Sequence, residues 1–225
     1  MIQPKVVVVF ILCWALVNTG CGEETVSDSN RDQPEFEGTI VALGDSLTEG
    51  LGVAEELAYP ALLQRKLLEQ GYKYTVINAG VSGETSSGAL SRIKWALTLN
   101  PDIVILVTGA NDGLRGIDIR LIKSNIIQII QILKAQKIIV VLGGMQMVQN
   151  LGRDYAKAFS GIYPEIAQIH GLILIPFFLA GVAGEQDLNQ ADGIHPTAGG
   201  YRIIVESIFP YVLEAINIHR AKQDS

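Results

Sequence analysis

Five short apolar runs recur along the chain from residue 39 onward, and each is followed by a loop of glycine and small polar residues. The runs are TIVAL (39–43), YTVINA (74–79), DIVILVT (102–108), KIIVVLG (137–143) and LILIPF (172–177). They are rich in Val and Ile and nearly continuous, as strands buried on both faces are. Between them lie YPALLQRKLLEQG, SGALSRIKWALTLN, LIKSNIIQIIQILKAQ and YAKAFSGIYPEIAQIHG, and a last stretch runs from Thr197 towards Arg220. Leu62, Leu63, Lys66 and Leu67 show the spacing of three to four that gives a helix one apolar face. Gly71 and Gly171 stand where C-terminal caps belong. Strand alternating with helix predicts parallel strands joined by right-handed crossovers. The expected fold is α/β, a three-layer α/β/α sandwich around a flavodoxin-like five-stranded parallel sheet.

In such a sheet ligands bind beyond the carboxyl ends of the strands. There the loops read GDSLTEG (44–50), AGVSGETSSG (79–88), TGANDG (108–113), GMQMVQNLG (144–152) and FLAGVAGEQDLNQADGIHP (178–196). In the first, Gly44 and Gly50 permit a sharp turn that exposes the Ser46 hydroxyl and frees its N–H. The plain alternative is a strand-to-helix loop in which Ser46 caps the helix. A hydrolytic serine needs a base, and the base an orienting acid. His195, in DGIHP, lies on the same rim, three residues after Asp192, so that the carboxylate can reach Nδ1–H. Pro196 would start the next helix. The alternative is a turn with Asp192 capping it. His170 and His219 sit at a helix end and in the C-terminal stretch, where structural or solvated roles are expected. Oxyanion donors are available on the rim from the N–H of Ser46, the N–H of Gly83 and the side-chain amide of Asn111. Asp112 accepts only, and is expected to bond backbone instead. Leu51, Val53, Met145, Met147, Phe178, Leu179 and Val182 are candidates for an acyl groove, with loop packing as the alternative.

Charge and composition narrow the function. The chain has 225 residues, 48% of them hydrophobic and 18% charged, with a formal net charge of −6. This suits one buried domain and disfavours nucleic acid, as there is no Lys/Arg cluster to neutralise phosphates. Three scattered histidines, with the one cysteine that removal of an N-terminal signal would leave, do not make a metal site. A flavodoxin-like cofactor binder would need a phosphate cradle where Asp45 and Glu49 stand. G-x-S-x-G and G-x-x-x-x-G-K-[ST] do not occur.

The first residues form a targeting pattern. Lys5 precedes VVVVFILCWALV (6–17), long enough for a secretory signal and short for a spanning helix. Thr19 and Gly20 before Cys21 resemble a bacterial lipoprotein processing site, although Asn18 departs from its usual Leu. The expected organisation is a signal peptide over 1–21, a flexible acidic tether over 22–38 and a domain over 39–220. Removal of the signal would take Cys13 and leave Cys21 without a disulfide partner. The protein is expected to be exported to the periplasm, either soluble or membrane-anchored through a lipidated Cys21.

GDSLTEG, AGVSGETSSG, TGANDG and DGIHP, in that order, resemble the blocks of the SGNH, or GDSL, hydrolase family. The flanks YPALLQRKL, MQMVQNLGRDY and FLAGVAGEQDLNQADGIHPTAGGY are similar to its bacterial periplasmic arylesterase and thioesterase/lysophospholipase branch. The likeness spans Thr39 to about Val212. It implies a triad of Ser46, Asp192 and His195, an oxyanion hole of Ser46, Gly83 and Asn111, no metal or cofactor, and hydrolysis of a broad range of acyl esters, aryl and short- to medium-chain ones first and thioesters or lysophospholipids as extensions. The competing reading is a non-catalytic, acyl-binding surface lipoprotein.

Overall fold

A computed structural model describes residues 36–147 and 151–223. The targeting segment, Cys21 and all but the end of the expected tether lie outside the described residues, as do residues 148–150 of the fourth rim loop. The strands are β1 (Gly38–Gly44), β2 (Tyr74–Gly80), β3 (Ile103–Val107), β4 (Ile139–Gly143) and β5 (Ile173–Ile175). They form one sheet in the order β2-β1-β3-β4-β5, every neighbouring pair parallel. All five expected runs are therefore strands. The fifth stops early at Pro176, which has no N–H to give to a ladder.

The helices are α1 (Ser46–Glu49), α2 (Tyr59–Glu69), α3 (Ser86–Ser91), α4 (Ile93–Leu97), α5 (Ala110–Leu114), α6 (Ile119–Ala135), α7 (Arg153–His170) and α8 (Ala198–Gln223). Helices α2 and α8 cover one face of the sheet; α6 and α7, with α3 and α4 beside α6, cover the other. The reason is visible in α6, where Ile122, Ile126, Ile129, Ile130 and Leu133 fall on one buried stripe. In the interior strand β1, Ile40, Val41, Ala42 and Leu43 are completely buried. Full burial of each large aliphatic side chain contributes about 1.5–3 kcal/mol.

Three expectations shift in detail. SGALSRIKWALTLN is two short helices, broken at Arg92, whose guanidinium turns back under the rim. Pro196 does not start α8; it bridges to Asn189, and the helix begins at Ala198. The domain also reaches further than 39–220. Glu37 donates its N–H to Lys73 and pairs with Arg220, Gly38 already belongs to β1, and α8 runs to Gln223.

At the amino end of the strands, His219 has a structural role. Its Nδ1 lies 2.7 Å from the Tyr74 hydroxyl and its Nε2 3.3 Å from Asp102 Oδ1. Asp102 Oδ2 in turn accepts from Thr39 N at 2.8 Å. This cluster, buried at Tyr74 and His219, fastens α8 to the start of the sheet.

At the opposite end the packing of α1 on β2 is tighter still. A Cβ on Gly80 would stand 2.6 Å from Glu49 Cα and 2.7 Å from the Thr48 carbonyl carbon, both backbone atoms that cannot yield singly. Gly71, by contrast, has open space around it and a φ of +81°. Gly80→Ala is expected to destabilise the fold by about 2 kcal/mol or more through overpacking. Gly71→Ala should cost about 1 kcal/mol through backbone strain alone. Urea unfolding midpoints measure both; equal losses would contradict the close approach of α1 to β2.

Candidate active site

Strand β1 is paired with β2 and β3 so that Gly44 lies level with Gly80 and Val107. The chain then turns at once into α1. Asp45, not Ser46, caps this helix: its Oδ1 accepts from Leu47 N at 3.0 Å. Ser46 is the first helical residue, which frees its hydroxyl from capping. Gly50 ends the turn at a φ of +91°.

The Ser46 Oγ lies 2.8 Å from His195 Nε2. His195 Nδ1 lies 2.7 Å from Asp192 Oδ2. The other carboxylate oxygen of Asp192 accepts from the N–H of Ile194 at 2.8 Å and of His195 at 3.0 Å. Asp192 therefore does cap its own turn, and the same turn aims the imidazole; the two readings of DGIHP describe one structure. These bonds set the electrostatics. The N–H of His195, the bond to its ring and the N–H of Ile194 hold the Asp192 carboxyl down at about 2. An ionised carboxylate only accepts, so Nδ1 carries the ring proton and, in the neutral imidazole, Nε2 is left to accept from the serine.

Asn111 lies in α5, directly beyond β3, with its Nδ2 3.4 Å from Asp45 Oδ2. Gly83 lies beyond β2 with a φ of +75°, a backbone state few other residues adopt. Arg115 links the two, donating from Nη2 to Gly83 O at 3.0 Å and from its own N to Asn111 O at 3.1 Å. Asp112 does bond backbone as expected, accepting from Ser86 N at 2.7 Å, and it also accepts from the Ser86 hydroxyl at 2.6 Å. Asn125 of α6 completes that knot by donating to the Ser86 and Ser87 hydroxyls.

Two features escape the sequence reading. Arg92 is almost buried and grips Glu84 through two bonds of 2.6 and 2.7 Å. It also donates to Ala79 O at 2.8 Å and Gly44 O at 3.2 Å, tying the first two rim loops together. Asp45, although it stands in a polar loop motif, is 1% exposed. Burial pushes its carboxyl up to about 6, against the pull of Leu47 N–H, the His195 charge and Asn111. The acyl-groove candidates also divide. Met145, Phe178, Leu179 and Val182 are buried core; Gly144 N donates to Ile175 O and Phe178 N to Gly144 O, which holds the loops after β4 and β5 together. Leu51 is exposed, and Val53 and Met147 are half-buried. Among the described residues no group of His, Cys, Asp and Glu is arranged to hold a metal ion.

A serine bonded to a histidine, itself bonded to a carboxylate, at the carboxyl edge of a parallel sheet is the arrangement of a serine hydrolase. The model of the GDSL-like lipase/acylhydrolase family matches residues 42–203, and the chain belongs to that family of carboxylic ester hydrolases. It is 39% identical over 173 residues to Esterase TesA of Pseudomonas aeruginosa, covering 76% of this chain and 86% of the relative. It is 37% identical over 169 residues to thioesterase 1/protease 1/lysophospholipase L1 of Escherichia coli K12, covering 75% and 80%. A crystal structure of TesA superposes with a TM-score of 0.76 at 38% identity, covering 79% of this chain and 99% of that one.

Arg92→Met is expected to cost about 3 kcal/mol, because it strands the Glu84 carboxylate in a dry setting. Adding Glu84→Gln should recover part of that loss. Chemical denaturation of the single and double variants measures both; a single variant as stable as the parent would contradict the tie.

Proposed function

We propose that this protein hydrolyses aryl and short- to medium-chain acyl esters through an acyl-enzyme on Ser46. The observation that carries the reading is the continuous chain of bonds from Ser46 Oγ to His195 to Asp192, 2.8 and 2.7 Å long. Ser46 Oγ attacks the carbonyl carbon while its proton passes to His195 Nε2. Asp192, held ionised, keeps the ring oriented and stabilises the imidazolium. The tetrahedral oxyanion takes hydrogen bonds from the N–H of Ser46, the N–H of Gly83 and Nδ2 of Asn111. The intermediate collapses, the C–O bond to the leaving group breaks, and the departing alcohol takes the proton from Nε2. Water then attacks the acyl-enzyme by the same steps in reverse order, releasing the acid and restoring Ser46.

Leu51, Val53 and Met147 support loose acyl selectivity, being apolar side chains still open to solvent on the rim. The names of the relatives extend the reading to thioesters and lysophospholipids. A merely acyl-binding protein would have no use for the aligned imidazole and carboxylate. Export, with lipidation at Cys21 as its anchored form, rests on the targeting pattern ahead of the domain; an unmodified Cys21 in the intact mass of membrane-extracted protein would remove the anchor.

Hydrolysis of 4-nitrophenyl butyrate by the wild type and Ser46→Ala tests the mechanism. Loss of the nucleophile is expected to lower kcat by about a million-fold. Asn111→Ala should lower it by about a hundred- to a thousand-fold. Retention of most activity by Ser46→Ala would overturn the assignment.

A further inference from the structure

Asp45 is a buried carboxylate that the reaction steps above leave unused. It sits in the peptide before the nucleophile, faces His195, and is 1% exposed. One oxygen accepts from Leu47 N at 3.0 Å and the other from Asn111 Nδ2 at 3.4 Å. The groups turned towards it come from every neighbouring element. They are His195 from the loop after β5, Glu84 from the loop after β2, Asn111 of α5, and the tyrosines 59, 163 and 201 of α2, α7 and α8. Burial pushes all three phenols upward, with the Asp45 charge among the lesser causes in each, so they stay protonated around it. Glu84 is neutralised by Arg92.

An amide side chain can present either its NH2 or its oxygen to a neighbour. A carboxylate only accepts, so an ionised Asp45 admits the NH2 of Asn111 and repels its oxygen. With one N–H held by Asp45, the second is fixed in the plane of the amide and free for a substrate oxygen. A flipped Asn111 would instead present a carbonyl oxygen where negative charge develops. We propose that Asp45 is a positioning residue that locks the Asn111 amide in its donating orientation while holding the turn that carries Ser46. This rests on the reading of Asn111 as an oxyanion donor and adds the group that orients it. The carboxyl, raised by burial to about 6, is ionised above that pH and loses its grip on the amide as pH falls through it.

Steady-state kinetics of Asp45→Asn, Asn111→Ala and the double variant on 4-nitrophenyl butyrate test the proposal. In Asp45→Asn the side-chain oxygen still accepts from Leu47 N, which turns the new NH2 towards Asn111 and favours its flipped orientation. The expected result is a kcat about ten- to a hundred-fold lower with KM within about three-fold, bounded by the loss of one oxyanion donor. The double variant should be no slower than Asn111→Ala within about three-fold, as groups acting as one unit are not additive. Multiplying effects, or a loss that appears in KM, would overturn it. Should Asp45→Asn fold poorly, the Asn111 side-chain NH2 signals in 15N NMR of His195→Ala give a second reading. Without the imidazole they should shift with a midpoint at or above about 6. Signals flat across that range would overturn the proposal. Full activity of Ser46→Ala would instead refute the acyl-enzyme reading, whatever the Asp45 variants show.

Discussion

The hydrogen bond between Ser46 and His195 joins residues 149 positions apart, and the architecture can be understood as what makes 2.8 Å between them reproducible. Neither side chain is long enough to enforce that distance. The sheet register does so. Strand β1, buried from Ile40 to Gly44, lies between β2 and β3, and this pairing fixes where Gly44 ends and Ser46 begins. In the long loop after β5, the Asp192 turn anchors the imidazole through two backbone N–H bonds before the ring reaches for the serine. A parallel sheet brings all five carboxyl ends to one rim, so distant loops meet there without any one of them crossing the core.

Polar ties beneath the rim convert that convergence into rigidity. Arg92 clamps Glu84 and the carbonyls of Gly44 and Ala79, linking the serine turn to the Gly83 loop. Arg115 then links that loop to α5, and the Ser86–Asp112–Asn125 knot fastens α5 and α3 to α6. The two carboxylates closest to the serine diverge for a physical reason. Asp192 lies near the surface with several donors and stays ionised, while Asp45 is dry and has its carboxyl raised to about 6. Neighbouring acids with such different environments can hold different duties in one site.

Much of this was legible in the residues. Continuous Val/Ile runs gave all five strands, and the small polar loops after them pointed to the rim where Ser46, Asp192 and His195 meet. Boundaries were less legible, because they depend on tertiary partners. Glu37 joins the fold through Arg220, and Arg92 breaks a helix that its local pattern would continue. Burial in the loops was not legible at all. Met145, Phe178, Leu179 and Val182 stand in loop sequence yet pack in the core, while Asp45 stands in a polar motif yet is sealed from water. Periodicity reports burial only inside regular elements; outside them, the path of the chain decides it.

The central claim is that Ser46 is activated by His195 and becomes acylated, and covalent trapping tests it most directly. Wild-type protein incubated with a fluorophosphonate ester, digested and mapped by mass spectrometry should carry one phosphonyl group on the peptide containing Ser46. His195→Ala should label far more slowly. A label on another residue, or labelling equally fast without the imidazole, would contradict the account.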